Sequence, residues 1–312
     1  MPQRVVTNRD LEELIDTSDE WIFTRTGIRE RRIAADDETV ATMAVDAGQQ
    51  ALDTAHLLSS SLDLIIVATN TPDNLTPSCA SLVQHALAAG HAAAFDMAAG
   101  CSGFIYALAT AYQFIIGGIY TSALVVGSEV MSRMLDWQDR DTCILFGDGA
   151  GAVVVQAGDS ADLLSLVLGS DGSGANLAQA PGVCGARSDA PHDGRYFLRM
   201  RGREVFRFAV ERMPQAAKEA IAAAQLDISD IELFIPHQAN ERIIRSAAKT
   251  LGLPIDRVFM NMERYGNISA ASPAIALCEA VEQGWVRKGD HVVMVAFGSG
   301  LTWAAMVLEW QS

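Results

Sequence analysis

Short, continuously apolar runs alternate along the chain with longer segments in which apolar and polar residues recur at helical spacing. Residues 62–67, Leu-Asp-Leu-Ile-Ile-Val, form a run of the kind that is buried on both faces of a sheet, and this predicts a parallel strand. The same reading predicts strands over 92–96, 122–126 and 150–156, separated by helices over 39–55, 79–89 and 101–117. The second half repeats the order. It has a long helix over 204–224, a strand over 230–235, helices over 241–251 and 269–283, and strands over 291–296 and 302–309. Residues 230–235 line up with 61–66, and the landmark spacings agree. Ala68 lies 33 residues before Cys101, and its counterpart His237 lies 30 before Asn267. Gly100-Cys101-Ser102 and Gly266-Asn267-Ile268 each open an alanine-rich helix. The pattern predicts an α/β fold made of a duplicated unit, with halves at 1–160 and 161–312. The span 169–195 has no periodicity and reads as a surface loop between the halves or as a lid.

With 312 residues, half of them hydrophobic and only 20% charged, the chain is long and apolar enough for a large core, which excludes a disordered protein. The formal charge of −15 argues against nucleic-acid binding, though not against a local basic patch. The cysteines, Cys79, Cys101, Cys143, Cys184 and Cys278, form no CxxC pair and fit a reducing compartment. No HExxH and no close His/Cys cluster points to zinc. An apolar leader is missing, and no apolar run reaches the roughly 18 residues of a membrane span, so a cytoplasmic location is expected.

Candidate chemistry gathers at strand ends. Cys101 lies between apolar strand residues and an apolar helix, framed by Gly100 and Gly103. A helix N-terminus there favours the thiolate, although a buried structural cysteine fits the same position. His237 follows Phe234-Ile235-Pro236, at the carboxyl end of a strand where parallel sheets place ligands. It reads equally as a cap or core filler. Gln238 and Asn240 add polar groups to the same turn. Asn267 opens a helix, so it is either an N-cap or part of the same constellation. Together, Cys, His and Asn suit thiol chemistry on a thioester or amide. The cluster 147–152 lacks the Lys-Ser of a phosphate loop and leads into a strand, which predicts a tight turn with close backbone packing. Residues 297–300 read as a hairpin-like turn whose N–H groups are available to a site. Arg25, Arg29, Arg31 and Arg32 crowd one segment of an acidic protein, for ordinary salt bridges or for a phosphate-bearing ligand with Trp21 as a stacking surface. Arg242, Arg245 and Lys249 form a second basic stripe suited to an acidic partner.

Six segments together resemble the beta-ketoacyl-acyl-carrier-protein synthase III family: Asp16 to Trp21, Arg25 to Arg32, Gly100 to Phe104, Phe146 to Ala152, Pro236 to Asn240, and Tyr265 to Ser272. The resemblance runs from Val5 almost to the C-terminus. It implies a thiolase-like fold of two similar α/β halves in an α-β-α-β-α stack, a homodimer, and a catalytic set of Cys101, His237 and Asn267. It implies an acyltransferase that loads an acyl-CoA primer onto the cysteine and condenses it with malonyl-ACP, initiating fatty-acid synthesis without a metal or redox cofactor. Trp21 and Arg140 match the pair that holds the CoA adenine, Arg25 a phosphate contact, and Asn240 a residue of the pantetheine tunnel. Gln238 and Arg242 match carrier-protein contacts. Backbone N–H groups at Cys101 and Ser299 match the oxyanion hole.

Three departures stand out. Family members begin with one further strand before the segment matching Met1-Pro2, and its absence would leave polar backbone and apolar side chains uncovered. Thr76 stands where many relatives carry a Phe that reaches the partner subunit's acyl pocket. Pro273 directly follows Ser272, one residue earlier than usual, and a first-turn proline predicts only a local effect. The runner-up reading is a related condensation or acyl transfer in secondary metabolism, and a non-catalytic carrier-binding scaffold is the reading from another class.

Overall fold

The computed structural model describes residues 1–158, 162–182 and 197–311. An N-terminal ribbon, β1 (Arg4–Thr7) paired antiparallel with β2 (Glu30–Ile33), encloses α1 (Asn8–Glu12) and α2 (Asp19–Thr26). Next come α3 (Val40–Thr54), β3 (Leu64–Ala68), α4 (Cys79–Ala86), β4 (Ala93–Met97), α5 (Gly103–Ile116), β5 (Ser122–Val130), α6 (Arg140–Cys143) and β6 (Asp148–Gln156). The second half holds β7 (Leu163–Ser170), β8 (Ala178–Gln179), β9 (Arg199–Met200), α7 (Gly202–Ala223), β10 (Leu233–Pro236), α8 (Glu241–Leu251), α9 (Met262–Tyr265), α10 (Ala271–Glu282), β11 (His291–Gly298) and β12 (Thr302–Glu309).

Two four-stranded sheets carry the duplication. The first runs β4-β3-β5-β6 and the second β10-β11-β12-β7. In each, one adjacent pair is parallel (β3 with β5, β10 with β11) and the next strand is antiparallel (β6, β12). In the second sheet β7 flanks β12. On the matching outer side of β6 the described residues place no strand.

Five layers follow from the burial. Apolar residues of α3 and α4 pack on the outer face of the first sheet, and those of α7 and α8 on the outer face of the second. Between the sheets α5 and α10 form the central layer of one shared core, with Phe104, Leu108, Ala274 and Leu277 among its buried members. Small side chains let these elements approach. A Cβ at Gly127 of β5 would stand 2.9 Å from the Ala270 carbonyl oxygen and 2.9 Å from Ala271 Cα, so β5 meets the start of α10 backbone to backbone.

Several boundaries depart from the sequence reading for physical reasons. β5 runs on to Val130 rather than stopping at Val126, because Ser128 and Glu129 are buried with it. The glycine cluster 147–152 is not a turn. Residues 148–152 are already in β6, and its glycines serve the close packing that was expected. Pro273 lies in the first turn of α10, which stays regular. The span 169–195 is not all loop, since it begins in β7 and includes β8, while residues 183–196, with Cys184, lie outside the described residues. No described helix is long and apolar enough to cross a membrane.

Replacing Gly127 by Val would drive side-chain atoms into the α10 backbone, which has no room to withdraw. Overpacking of this kind costs about 1–3 kcal/mol. We expect a lower denaturant midpoint for Gly127→Val at unchanged slope; a wild-type midpoint would show that the halves are not held this closely.

Candidate active site

Cys101 stands between β4 and α5, two residues before the helix begins at Gly103. Its turn lies against the turn joining β11 to β12. Gly100 has φ +58°, and a Cβ there would stand 2.7 Å from Ser299 N. A Cβ at Gly298 would run into the Cys101 amide. The two turns therefore bring the backbone at Cys101 and at Ser299 to one end of a single cavity.

His237 is the first residue after β10. Its N–H donates to the Val295 carbonyl at 2.7 Å, and its carbonyl accepts from Ala239 N–H at 2.9 Å. The ring meets Phe297 edge to face at 5.6 Å and is 1% exposed. Burial pulls its pKa down to about 3, so the imidazole is neutral near pH 7. Nδ1 has no hydrogen-bond partner among the described residues.

Asn267 is tied by its backbone to the segment leading into β6: its N–H donates to Leu145 O at 2.8 Å, and its carbonyl accepts from Gly147 N–H at 3.1 Å. The N-cap alternative fails, because α10 starts at Ala271 with Ala270 in the cap position. Instead Asn267 Oδ1 accepts from Ser269 N–H at 2.8 Å. A backbone N–H can only donate, so this bond assigns the oxygen and leaves the amide NH2 group for other partners.

Cys101, His237 and Asn267 thus come from both halves and line one cavity of about 1590 Å³, well above an ordinary small-ligand pocket and suited to an extended ligand. Burial pushes the Cys101 thiol up to about 12, and the charge of Glu129 adds to this, while a hydrogen bond with Ser269 acts the other way. The expectation of a standing thiolate is therefore reversed. Desolvation is the largest cause and exceeds the hydrogen bonds that act the other way. Cys79, Cys143 and Cys278 are also raised by burial, to about 12, 11 and 11, so Cys101 is set apart by position and not by acidity.

The cavity rim gathers most of the other candidates. Arg25 and Arg140 lie over the Trp21 ring at 4.5 and 4.7 Å, and Arg140 donates to the Asp16 carbonyl at 3.0 Å. Asn240 caps α8 by accepting from Arg242 N–H, and it donates to the Arg25 carbonyl at 2.9 Å. Exposed Arg242 rests over Phe206 at 5.3 Å, a neighbour 36 residues away that no local pattern pairs with it. Of the four clustered arginines only Arg25 reaches the cavity. Arg29 pairs with Asp19 and Glu263, Arg32 with Glu30, and Arg31 is wholly buried on Asn8 and backbone carbonyls. Arg245 is paired with Glu241. Gln238 must be corrected as a docking contact. It is 1% exposed, and its side chain is spent on Pro236 O, Phe259 O and Asn261 N–H. Asn70 and Thr71, which line the cavity, were missed, although they follow the carboxyl end of β3 just as His237 follows β10.

Residues 95–172 match the family profile 3-Oxoacyl-[acyl-carrier-protein (ACP)] synthase III, and residues 221–310 match the profile of that enzyme's C-terminal part. The chain is 49% identical to a beta-ketoacyl-[acyl-carrier-protein] synthase III of Caldanaerobacter subterraneus subsp. tengcongensis, over 99% of this chain and 95% of that protein. It is similar to the crystal structure of 3-oxoacyl-[acyl-carrier-protein] synthase III from Aquifex aeolicus, with a TM-score of 0.93 and 47% identity over 99% and 97% of the two chains. It is also similar to the priming beta-ketosynthase of the R1128 polyketide pathway, with a TM-score of 0.95 and 40% identity over 100% and 93%.

A thiol titrating near 12 leaves a thiolate fraction that grows about tenfold per pH unit throughout the neutral and mildly alkaline range. The rate of Cys101 carboxamidomethylation, followed by peptide mass spectrometry, should climb with that slope from about pH 7 to pH 10. Levelling near pH 8, as for an activated thiolate, would contradict the burial argument.

Proposed function

The chain belongs to the 3-oxoacyl-[acyl-carrier-protein] synthase III family of condensing acyltransferases, and from that premise we propose that it joins an acyl-CoA primer to malonyl-ACP in the cavity shared by Cys101, His237 and Asn267. The observation that carries this reading is that groups from both halves open on one long cavity, with the Asn267 oxygen already occupied and its NH2 group unspent on Ser269.

The Cys101 sulfur attacks the primer thioester carbonyl. Its proton leaves with the CoA sulfur, and a new thioester forms on the enzyme. Backbone N–H groups at Cys101 and Ser299, whose turns lie against each other, would receive the oxyanion of this step. Because the thiol is protonated at rest, charge develops only as the sulfur attacks, where the N-terminus of α5 favours it. CoA departs and malonyl-ACP takes its place. The bond to the carboxylate breaks, CO2 leaves, and the electron pair becomes an enolate. A neutral His237 and the Asn267 amide each offer one N–H to that oxygen. The enolate carbon attacks the acyl-Cys101 carbonyl, the carbon–sulfur bond breaks, and the departing thiolate takes a proton from solvent to restore the Cys101 thiol.

The rim supports the same reading. Trp21, Arg25 and Arg140 offer an aromatic face and two cations for the nucleotide end of CoA, and Asn240, bonded to the Arg25 carbonyl, lines the same cavity. Arg242, exposed at the mouth, suits an acidic carrier protein, and no carboxylate pairs with it among the described residues. Thr76 is exposed and outside this protomer's cavity, as suits a residue that would reach across a homodimer. In this reading residues 1–160 carry the cysteine half and residues 161–312 the His and Asn half. Likeness to a priming ketosynthase of polyketide synthesis favours a second reading, the same chemistry feeding secondary metabolism.

Asn267→Ala removes one enolate donor and leaves the nucleophile. A lost donor of this type costs on the order of 3 kcal/mol, a rate factor of about 100. Decarboxylation of malonyl-ACP should fall by about that factor, with Cys101 acylation from acyl-CoA much less affected. Equal loss of both would assign Asn267 to structure alone.

A further inference from the structure

Glu129, near the end of β5, is wholly buried and takes no part in the steps above. Its carboxylate receives five donors. The Thr71 hydroxyl lies at 2.6 Å, the Thr69 hydroxyl at 3.2 Å, Asn70 N–H at 3.0 Å, the Asn70 amide at 2.8 Å and Ala270 N–H at 3.3 Å. Thr71 Oγ1 also accepts from Val130 N–H and Thr69 Oγ1 from Thr71 N–H, so both hydroxyls are held from a second side. The three N–H donors favour the carboxylate, while burial works against it and raises the pKa of Glu129.

The group at the centre of the nest is Asn70. Its Nδ2 reaches Glu129 Oε1, the Gly100 carbonyl at 3.1 Å and Ser269 Oγ at 3.2 Å. Gly100 precedes the cysteine. Ser269 interacts with the Cys101 thiol, and its N–H fixes the Asn267 oxygen. Ser269 also holds φ +45°, a left-handed backbone that a non-glycine residue keeps only when its neighbours enforce it. One amide thus touches the turn bearing the nucleophile in one half and the turn bearing Asn267 in the other. Ala68, which aligns with His237, ends β3, and Asn70 follows it two residues later.

We infer that Glu129 is a positioning residue: by fixing Asn70, it clamps the Cys101 turn to the Asn267 turn across the boundary between the halves. The inference rests on the active-site reading above. The carboxylate cannot be there to activate the thiol, since its charge disfavours the thiolate. Its contribution is geometric, and the two effects should separate by substitution.

Glu129→Gln presents an NH2 group to a nest built of donors, which loosens Asn70, and it deletes the negative charge beside Cys101. Asn70→Ala cuts the clamp and keeps the charge. Disturbed outer contacts of this kind cost roughly 10- to 100-fold. We expect kcat for condensation to fall by about that factor in both variants, with KM for acyl-CoA little changed. Carboxamidomethylation of Cys101 at fixed pH should be faster in Glu129→Gln and not in Asn70→Ala, while Glu129→Asp, which keeps the charge, shows no acceleration. Wild-type kcat in both folded variants would overturn the inference. So would losses of alkylation and condensation that run in parallel with the loss of folded protein by circular dichroism. Failure of the active-site reading is seen separately, in the wild type, as acyl-CoA label on a residue other than Cys101.

Discussion

The site depends on two halves that meet backbone to backbone. β5 lies against the start of α10 at Gly127, where any side chain would strike the Ala270 carbonyl, and the Cys101 turn lies against Gly298 with no space for a Cβ. Neither half holds the full set of reacting groups. Cys101 and Asn70 belong to the first, and His237, Asn267 and Ser299 to the second. A shift of about 1 Å between reacting groups can cost a hundredfold in rate, so packing of the central layer and chemistry are one problem here.

Burial then sets the electrostatics. The site is dry enough to hold His237 neutral and Cys101 protonated, both through desolvation. Charge develops on the sulfur and on the enolate oxygen only during reaction, in surroundings where a fixed N–H is worth more than it is in water. Glu129, buried beside the site, is surrounded by donors instead of a cation. The cations that remain, Arg25, Arg140 and Arg242, stand at the exposed rim. A chain of net charge −15 therefore gathers arginines at the mouth of this cavity.

Much of this was legible in the sequence. Helix α8 and strand β12 fall on the residues that the periodicity predicted, because α8 has an Asn240 cap, a Gly252 stop in the left-handed region and a clean apolar stripe. The duplication and the Cys, His and Asn positions came from strand-end placement and matched spacings. What was hidden depended on contacts far apart in sequence. Glu129 reads as the polar end of a strand until its partners from 69–71 and 270 are seen around it. Gln238 reads as an available amide until Phe259 and Asn261 close over it. The thiol pKa was misjudged because a helix start is visible in sequence and desolvation is not.

The most direct test of the account is a chase experiment on the whole protein. It would be incubated with an acyl-CoA and digested for peptide mass spectrometry, with a parallel sample treated with malonyl-ACP before digestion. The account predicts one acyl group, on the peptide carrying Cys101, which disappears on the chase as the two-carbon-longer 3-oxoacyl-ACP forms. An acyl group on any other cysteine, or an acyl-Cys101 that malonyl-ACP leaves untouched, would contradict it.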